Sequence, residues 1–175
     1  MENHAVENQV TESYAGDKKP VNLKRLAIHI AVEALVVIAV FFVLLWPFRV
    51  GGESMEPRFR DGGVVAASRG AAWIGWINRG HVIICRMEHY NERYTAIKRV
   101  IGLPGERVVI ENGAVFVDGV ELEHTHETPG TIDILLGDGE FFVLGDDRER
   151  SYDSRFAGTV ARRDIVARVW FGRSF

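Results

Sequence analysis

The chain has 175 residues, 47% of them apolar and 26% charged, with a formal net charge of −3. That length suits one domain with an appendage, and the near-neutral charge argues against a nucleic-acid partner. The single cysteine, Cys85, excludes an intramolecular disulfide; within the apolar run from His81 it reads as a small buried thiol.

Residues 1–20 are polar, rich in Glu, Asn, Lys and Asp, and lack apolar periodicity, so residues 1–25 are expected to form a disordered tail. Residues 26–46 are an almost unbroken apolar run, about the length that spans a bilayer. His29 and Glu33 are its strongly polar members. An ionised side chain at the centre of a span costs about 2.5–3.5 kcal/mol, whereas fourteen Leu, Ile, Val and Phe residues return about 4–8 kcal/mol. Insertion therefore survives Glu33, which lies off-centre, and a polar residue in a span can also face a partner helix. No small-x-small site follows the run directly, so it is expected to be an anchor rather than a cleaved leader. Trp46-Pro47 suits an interfacial aromatic and a helix stop. Lys18, Lys19, Lys24 and Arg25 precede the run, which places the N-terminus in the cytoplasm and residues 47–175 outside. The alternative is a core helix of a soluble protein.

Beyond the anchor the pattern changes to short strands punctuated by glycine. Strands are expected at residues 64–67, 82–85, 94–101, 107–110, 115–117, 120–122, 141–144 and 165–170. Asn112-Gly113 and Asp118-Gly119 supply two turns. The expected fold class is all-β, a domain closed or nearly so behind one transmembrane helix. Residues 68–79 hold Trp73 and Trp76 among glycines and alanines, a loop that either touches lipid headgroups or packs on the sheet. His124, His126 and Glu127 include an H-x-H pair; with no third ligand at a telling spacing, a solvated loop is the expectation and no metal is called for.

Three segments combine chemistry-bearing residues with turn glycines. Gly51-Gly52-Glu53-Ser54-Met55-Glu56-Pro57 lets backbone approach a ligand beside a serine hydroxyl, as an oxyanion site requires. Tyr94 to Glu106 carries Lys98 inside an apolar strand. All positive charge after residue 25 is arginine except Lys98, one of only four lysines against seventeen arginines. A buried lysine can lose its proton near neutral pH and an arginine cannot. Lys98 is therefore either a buried base for a serine or a snorkelling side chain with its tip in water. The third segment, Leu144 to Arg155, follows a strand with dense Asp, Arg and Ser, and reads as a hydrogen-bonded loop or a solvated charged turn.

These segments, in this order behind an N-terminal anchor, resemble the type I signal peptidases. The matching motifs are Ser-x-Met-x-Pro-like at residues 54–57, Lys-Arg-Val-x-Gly-x-Pro-Gly at residues 98–105, and Gly-Asp-x-Arg…Ser-x-Asp-Ser-Arg at residues 145–155. The resemblance covers roughly residues 26–175. It implies the β-rich Ser/Lys peptidase fold and a membrane-bound serine endopeptidase that cuts exported preproteins after small-x-small sites. Ser54 would attack the scissile carbonyl and Lys98 would take its proton. Ser151 would orient the lysine amine, and Asp146, Asp153, Arg99 and Arg155 would form supporting ion pairs. The Ser54 N–H would supply part of the oxyanion hole, with Gly52 and Met55 beside the substrate. Some members place a serine where this chain has Gly52, so a second oxyanion donor must come from elsewhere. Asp147 stands where Asn is common, and Gly62-Gly63 where Gly-Asp is common.

The implied enzyme needs no cofactor, works as a monomer in the lipid bilayer, and has exported preproteins as partners. Other readings remain: a Ser/Lys peptidase of different specificity, a catalytically dead peptide-binding domain, or a Ser-His hydrolase using His81 or His89. The last lacks a Gly-x-Ser-x-Gly elbow.

Overall fold

The computed structural model describes residues 22–44, 46–70, 77–122 and 127–173, without side-chain detail at residues 39–44 and 173. The chain divides into two compact units, Met1–Val40 and Phe41–Phe175. The expected loop tryptophans, Trp73 and Trp76, and the pair His124 and His126 lie outside the described residues.

Helix α1 (Leu23–Leu44) begins where Asn22 caps it. Asn22 Oδ1 accepts the Arg25 N–H at 3.3 Å and the Asn22 carbonyl accepts that of Leu26 at 3.0 Å. From residue 23 to residue 38 every side chain is exposed, Leu26, Ile28, Ile30 and Leu35 among them. No helix among the described residues is long and apolar enough to cross a membrane.

The second unit holds eleven strands among its described residues: β1 (Trp46–Arg49), β2 (Val64–Ser68), β3 (Val82–His89), β4 (Glu92–Gly102), β5 (Arg107–Glu111), β6 (Ala114–Val117), β7 (Val120–Glu121), β8 (Ile132–Leu135), β9 (Glu140–Leu144), β10 (Val160–Ala161) and β11 (Ile165–Arg173). A short helix α2 (Ser154–Ala157) and a 3₁₀ turn (Arg162–Asp164) complete it. The strands form a seven-stranded sheet, β1-β2-β11-β3-β4-β9-β10, and a four-stranded sheet, β7-β6-β5-β8. Every pairing is antiparallel.

The expected strands are present, arranged in two antiparallel sheets. The seven-stranded sheet ends at β1 on one side and β10 on the other without joining them. β10 is two residues long and runs straight into the 3₁₀ turn. Helix α1 ends at Leu44, just ahead of Trp46-Pro47, and those two residues open edge strand β1, where proline's missing N–H costs no ladder bond. Strand β8 and the hydrogen-bonded hairpin turns follow local rules: Asn112 and Gly113 both have positive φ (51° and 82°), as a two-residue hairpin demands.

Three apolar clusters hold the unit together. The first joins Ile83, Cys85, Ala96, Val100, Phe141 and Val143 across β3, β4 and β9. The second holds Met55, Phe59, Val65, Ala67, Ile84 and Ile97. The third packs the small sheet's Val108, Ile110 and Val115 on Leu136, Phe142 and Leu144. Met55 is fully buried and Phe59 nearly so. Each stabilises the unit by about 1.5–3 kcal/mol, and together they pin the segment that carries Ser54.

Candidate active site

Ser54 stands in a turn between β1 and β2, one residue before the buried Met55. The turn is fixed from both ends. Ahead of Ser54, the Gly52 N–H donates to Asp61 Oδ1 at 2.8 Å. Behind it, the Phe59 N–H donates to the Met55 carbonyl at 2.9 Å, and the Glu56–Pro57 bond is cis. The Ser54 carbonyl accepts the Asp147 N–H at 3.1 Å, which ties the turn to the loop after β9. Among the described residues the Ser54 N–H has no protein acceptor, so it is available to an incoming oxyanion. Gly52 has φ +87°, a conformation a side chain rarely adopts. That backbone accounts for glycine where some relatives place serine.

Lys98 lies in β4 opposite Ile83 of β3. By strand alternation its side chain shares a face with Ala96 and Val100, inside the first apolar cluster. It is 4% exposed, so the snorkelling alternative does not hold. Its Nζ stands 2.7 Å from Ser54 Oγ in hydrogen-bond geometry. Burial pushes the amine's pKa below the ordinary lysine value; Asp153, Cys85 and Asp146 nearby act in the opposite direction without reversing it. A charged amine donates to the hydroxyl. A neutral amine, which that environment favours, can accept the hydroxyl proton instead.

The loop between β9 and α2 supplies the surroundings. Gly145 passes between Ser54 and Ser151. A Cβ there would lie 2.3 Å from Ser151 Oγ and 2.5 Å from the Ser54 carbonyl oxygen. Gly145 is thus required by close approach. Ser151 is buried at the expected place, but its Oγ has no hydrogen-bond partner, so the expected bond to the lysine amine is not formed. The expected ion pairs are present. Arg99 grips Asp146 with two nitrogens, at 2.7 and 2.5 Å, and donates to the Gly80 carbonyl. Asp153 and Arg155 form a buried pair at 2.9 Å. Asp153 also caps α2 and accepts the Gly145 N–H at 3.0 Å. Arg155 donates further to the Arg148, Ser151 and Pro129 carbonyls.

Met55 is placed differently from the expectation. Its side chain is fully inside the core, so it secures the Ser54 turn and does not line a substrate surface. Gly52 likewise gives its N–H to Asp61 rather than to the site. His81 accepts the Asn78 N–H at Nδ1, and His89 stacks on Tyr90 and Tyr152, while Ser54 Oγ meets Lys98. Sequence reasoning missed three residues. Asp61 holds Gly52, and Arg148, buried, donates to the Gly145 carbonyl and to Thr128 Oγ1, both at 2.7 Å. Arg150 bridges Glu53 to the Asp147 loop. Arg148 and Arg150 sit in the quoted segment, and that was the available signal; Asp61, nine residues from Gly52, carries none.

A pocket of about 210 Å³ is bounded by residues 48–51, which lead into the Ser54 turn, and by residues 95–97, which lead to Lys98. Its lining mixes the apolar Phe48, Val50, Val65, Ile84, Ala96 and Ile97 with Arg49 and Thr95, and its volume suits small side chains. Among the described residues no cluster suits a metal ion.

Comparison with known proteins gives the family. The family model described as "Signal peptidase, peptidase S26" matches residues 23–172. Signal peptidase IB of Staphylococcus aureus is 31% identical over 169 residues, covering 79% of this chain and 87% of the relative. Signal peptidase I of Bacillus licheniformis is 33% identical over 143 residues, covering 74% and 75%. A crystal structure of a signal peptidase I from Enterococcus faecalis is 26% identical, with a TM-score of 0.45, and covers 54% of this chain and 97% of that one. The chain belongs to the signal peptidase family, peptidase S26, and is a serine peptidase.

Proposed function

We propose that the chain is a membrane-anchored endopeptidase that removes signal peptides from exported preproteins by a Ser54/Lys98 dyad. The observation that carries this reading is the 2.7 Å approach of Ser54 Oγ to an amine buried in an apolar strand face. Neutral Lys98 takes the Ser54 proton as Oγ attacks the scissile carbonyl, and the Ser54 N–H faces the developing oxyanion. Lys98, now an ammonium, returns a proton to the leaving amine, and water then resolves the acyl-enzyme by the same route. Asp153, Arg155, Arg148, Asp146 and Arg99 hold the loop that positions the dyad. Ser151, buried beside Gly145, orients the amine once substrate closes the site.

The apolar pocket beside Ser54 takes the small side chains ahead of the cut, with the substrate extended alongside β4. Residues 26–46 anchor the enzyme as a single span, with residues 1–25 cytoplasmic and residues 47–175 outside. The support is the run's apolar sequence and the apolar side chains that α1 exposes on all sides. The enzyme acts as a monomer in the bilayer and needs no metal or cofactor.

The test is intact-mass analysis of a preprotein incubated with the detergent-solubilised enzyme. One cut after a small-x-small site, absent with Ser54→Ala, is expected. A substrate with tryptophan at the residue before the cut should resist; equal cutting of both substrates would sink the pocket assignment.

A further inference from the structure

The pocket bounded by residues 48–51 and 95–97 is accompanied by a second cavity. A cleft of about 450 Å³ opens beside Glu56 and Pro57, which follow the nucleophile, and beside Asp147 and Arg150. Ordinary ligand pockets measure about 300–1,000 Å³, so the cleft has room for several substrate atoms beyond one side chain. It adjoins the reacting centre directly, because the Asp147 N–H holds the Ser54 carbonyl and Arg150 reaches Glu53 at 2.8 Å. The apolar pocket, in contrast, is lined by residues that precede Ser54 and Lys98 in the chain, Phe48 to Gly51 and Thr95 to Ile97. One cavity is thus bounded by residues that lead into the dyad and the other by residues that follow the nucleophile, the second with the far more charged lining.

The charges of the cleft do not cancel. Asp146 is neutralised by Arg99, and Arg148 is committed to the Gly145 carbonyl and Thr128. Arg150 is shared between Glu53 at 2.8 Å and Asp147 at 3.8 Å. Glu56, Glu127 and Glu149 also line the cleft, and among the described residues none of them has an ion-pair partner. A cleft with that lining is negative, and its walls focus the potential on whatever enters.

We propose that this cleft receives the substrate residues that follow the scissile bond and selects for lysine or arginine among them. The assignment rests on Ser54 as nucleophile and on the apolar pocket as the site for residues ahead of the cut. Given those, the chain leaving Ser54 has this cleft before it, and basic side chains there gain the three unpaired carboxylates.

Three preproteins, identical up to the cut and carrying Lys, Gln or Glu at the second and third positions after it, test the proposal with the full-length enzyme. At low salt, kcat/KM for the Lys substrate should exceed that for the Glu substrate by about three- to tenfold, as expected of partly exposed ion pairs. The ratio should shrink at about 0.5 M salt. In the combined Glu56→Gln, Glu127→Gln and Glu149→Gln variant it should fall towards one, a readout that a general loss of activity would not move. Ser54-dependent cutting of the Gln substrate with equal or reversed rates for Lys and Glu overturns the cleft assignment and leaves the dyad standing. A ratio that persists in the triple variant overturns the role of those carboxylates. No Ser54-dependent cutting of the Gln substrate overturns the nucleophile and this inference with it.

Discussion

A single methyl group added at Gly145 should slow the enzyme about ten- to a hundredfold while leaving its fold in place. The new Cβ would lie 2.5 Å from the Ser54 carbonyl oxygen, 2.3 Å from Ser151 Oγ and 2.5 Å from Ser151 Cβ. Ser151 has a side chain that can rotate, but the Ser54 carbonyl is backbone. Restoring an ordinary contact of about 3 Å there requires a shift of roughly 0.5 Å or more, of the turn or of the strand end. The turn is the softer partner, because separate bonds hold it (Gly52 N–H to Asp61, Phe59 N–H to Met55, Asp147 N–H to Ser54), whereas β9 is paired along ladders on both sides. Catalytic groups must keep position within about 0.5 Å, and a misplacement of about 1 Å costs about a hundredfold. Overpacking of this kind costs about 1–3 kcal/mol of stability. Steady-state kinetics on a preprotein, alongside denaturant unfolding of Gly145→Ala, give both numbers. Activity within twofold of the wild type, at unchanged stability, would refute the close approach of Gly145 to the nucleophile's backbone.

Other outcomes follow from single groups. Asp153→Asn leaves the buried Arg155 charge without its partner and should cost about 3–5 kcal/mol, read as a lowered denaturant midpoint. Lys98→Met should abolish cutting yet raise stability more at pH 6 than at pH 10.5. Burial lowers the Lys98 pKa, so the cost of the buried ammonium is fully present below the folded pKa and vanishes as pH rises towards the unfolded value. Unfolding curves of both proteins at the two pH values check the sign. Burial pushes the Cys85 thiol up to about 12, so at pH 8 only about one thiol in ten thousand is ionised. An aromatic disulfide reagent should therefore leave Cys85 untouched in the native protein and react once denaturant is added.

The strands and the dyad were legible because their signals are local. Alternation and Asn-Gly turns mark β5 and β6, and an isolated lysine in an apolar strand marks Lys98. The supporting ion pairs Arg99–Asp146 and Asp153–Arg155 were legible only through resemblance, since nothing in Arg99's neighbours announces a carboxylate 47 positions away. Strand β1 escaped because Trp46-Pro47 reads as a helix end, and proline is tolerated there only on an edge that sequence cannot reveal. Met55 read as a substrate neighbour because it adjoins Ser54. Its burial is set by Phe59, Val65 and Ala67, which are distant turns and strands.

The most direct test of the dyad is the pH dependence of kcat/KM for the wild type, measured beside Ser54→Ala and Lys98→Ala. The account predicts activity that rises with pH on an acid limb whose pKa lies below the ordinary lysine value, as Lys98 loses its proton. It predicts a loss of about a thousandfold or more in each variant. An acid limb that survives in Lys98→Ala, or more than about a tenth of the activity in either variant, would contradict it.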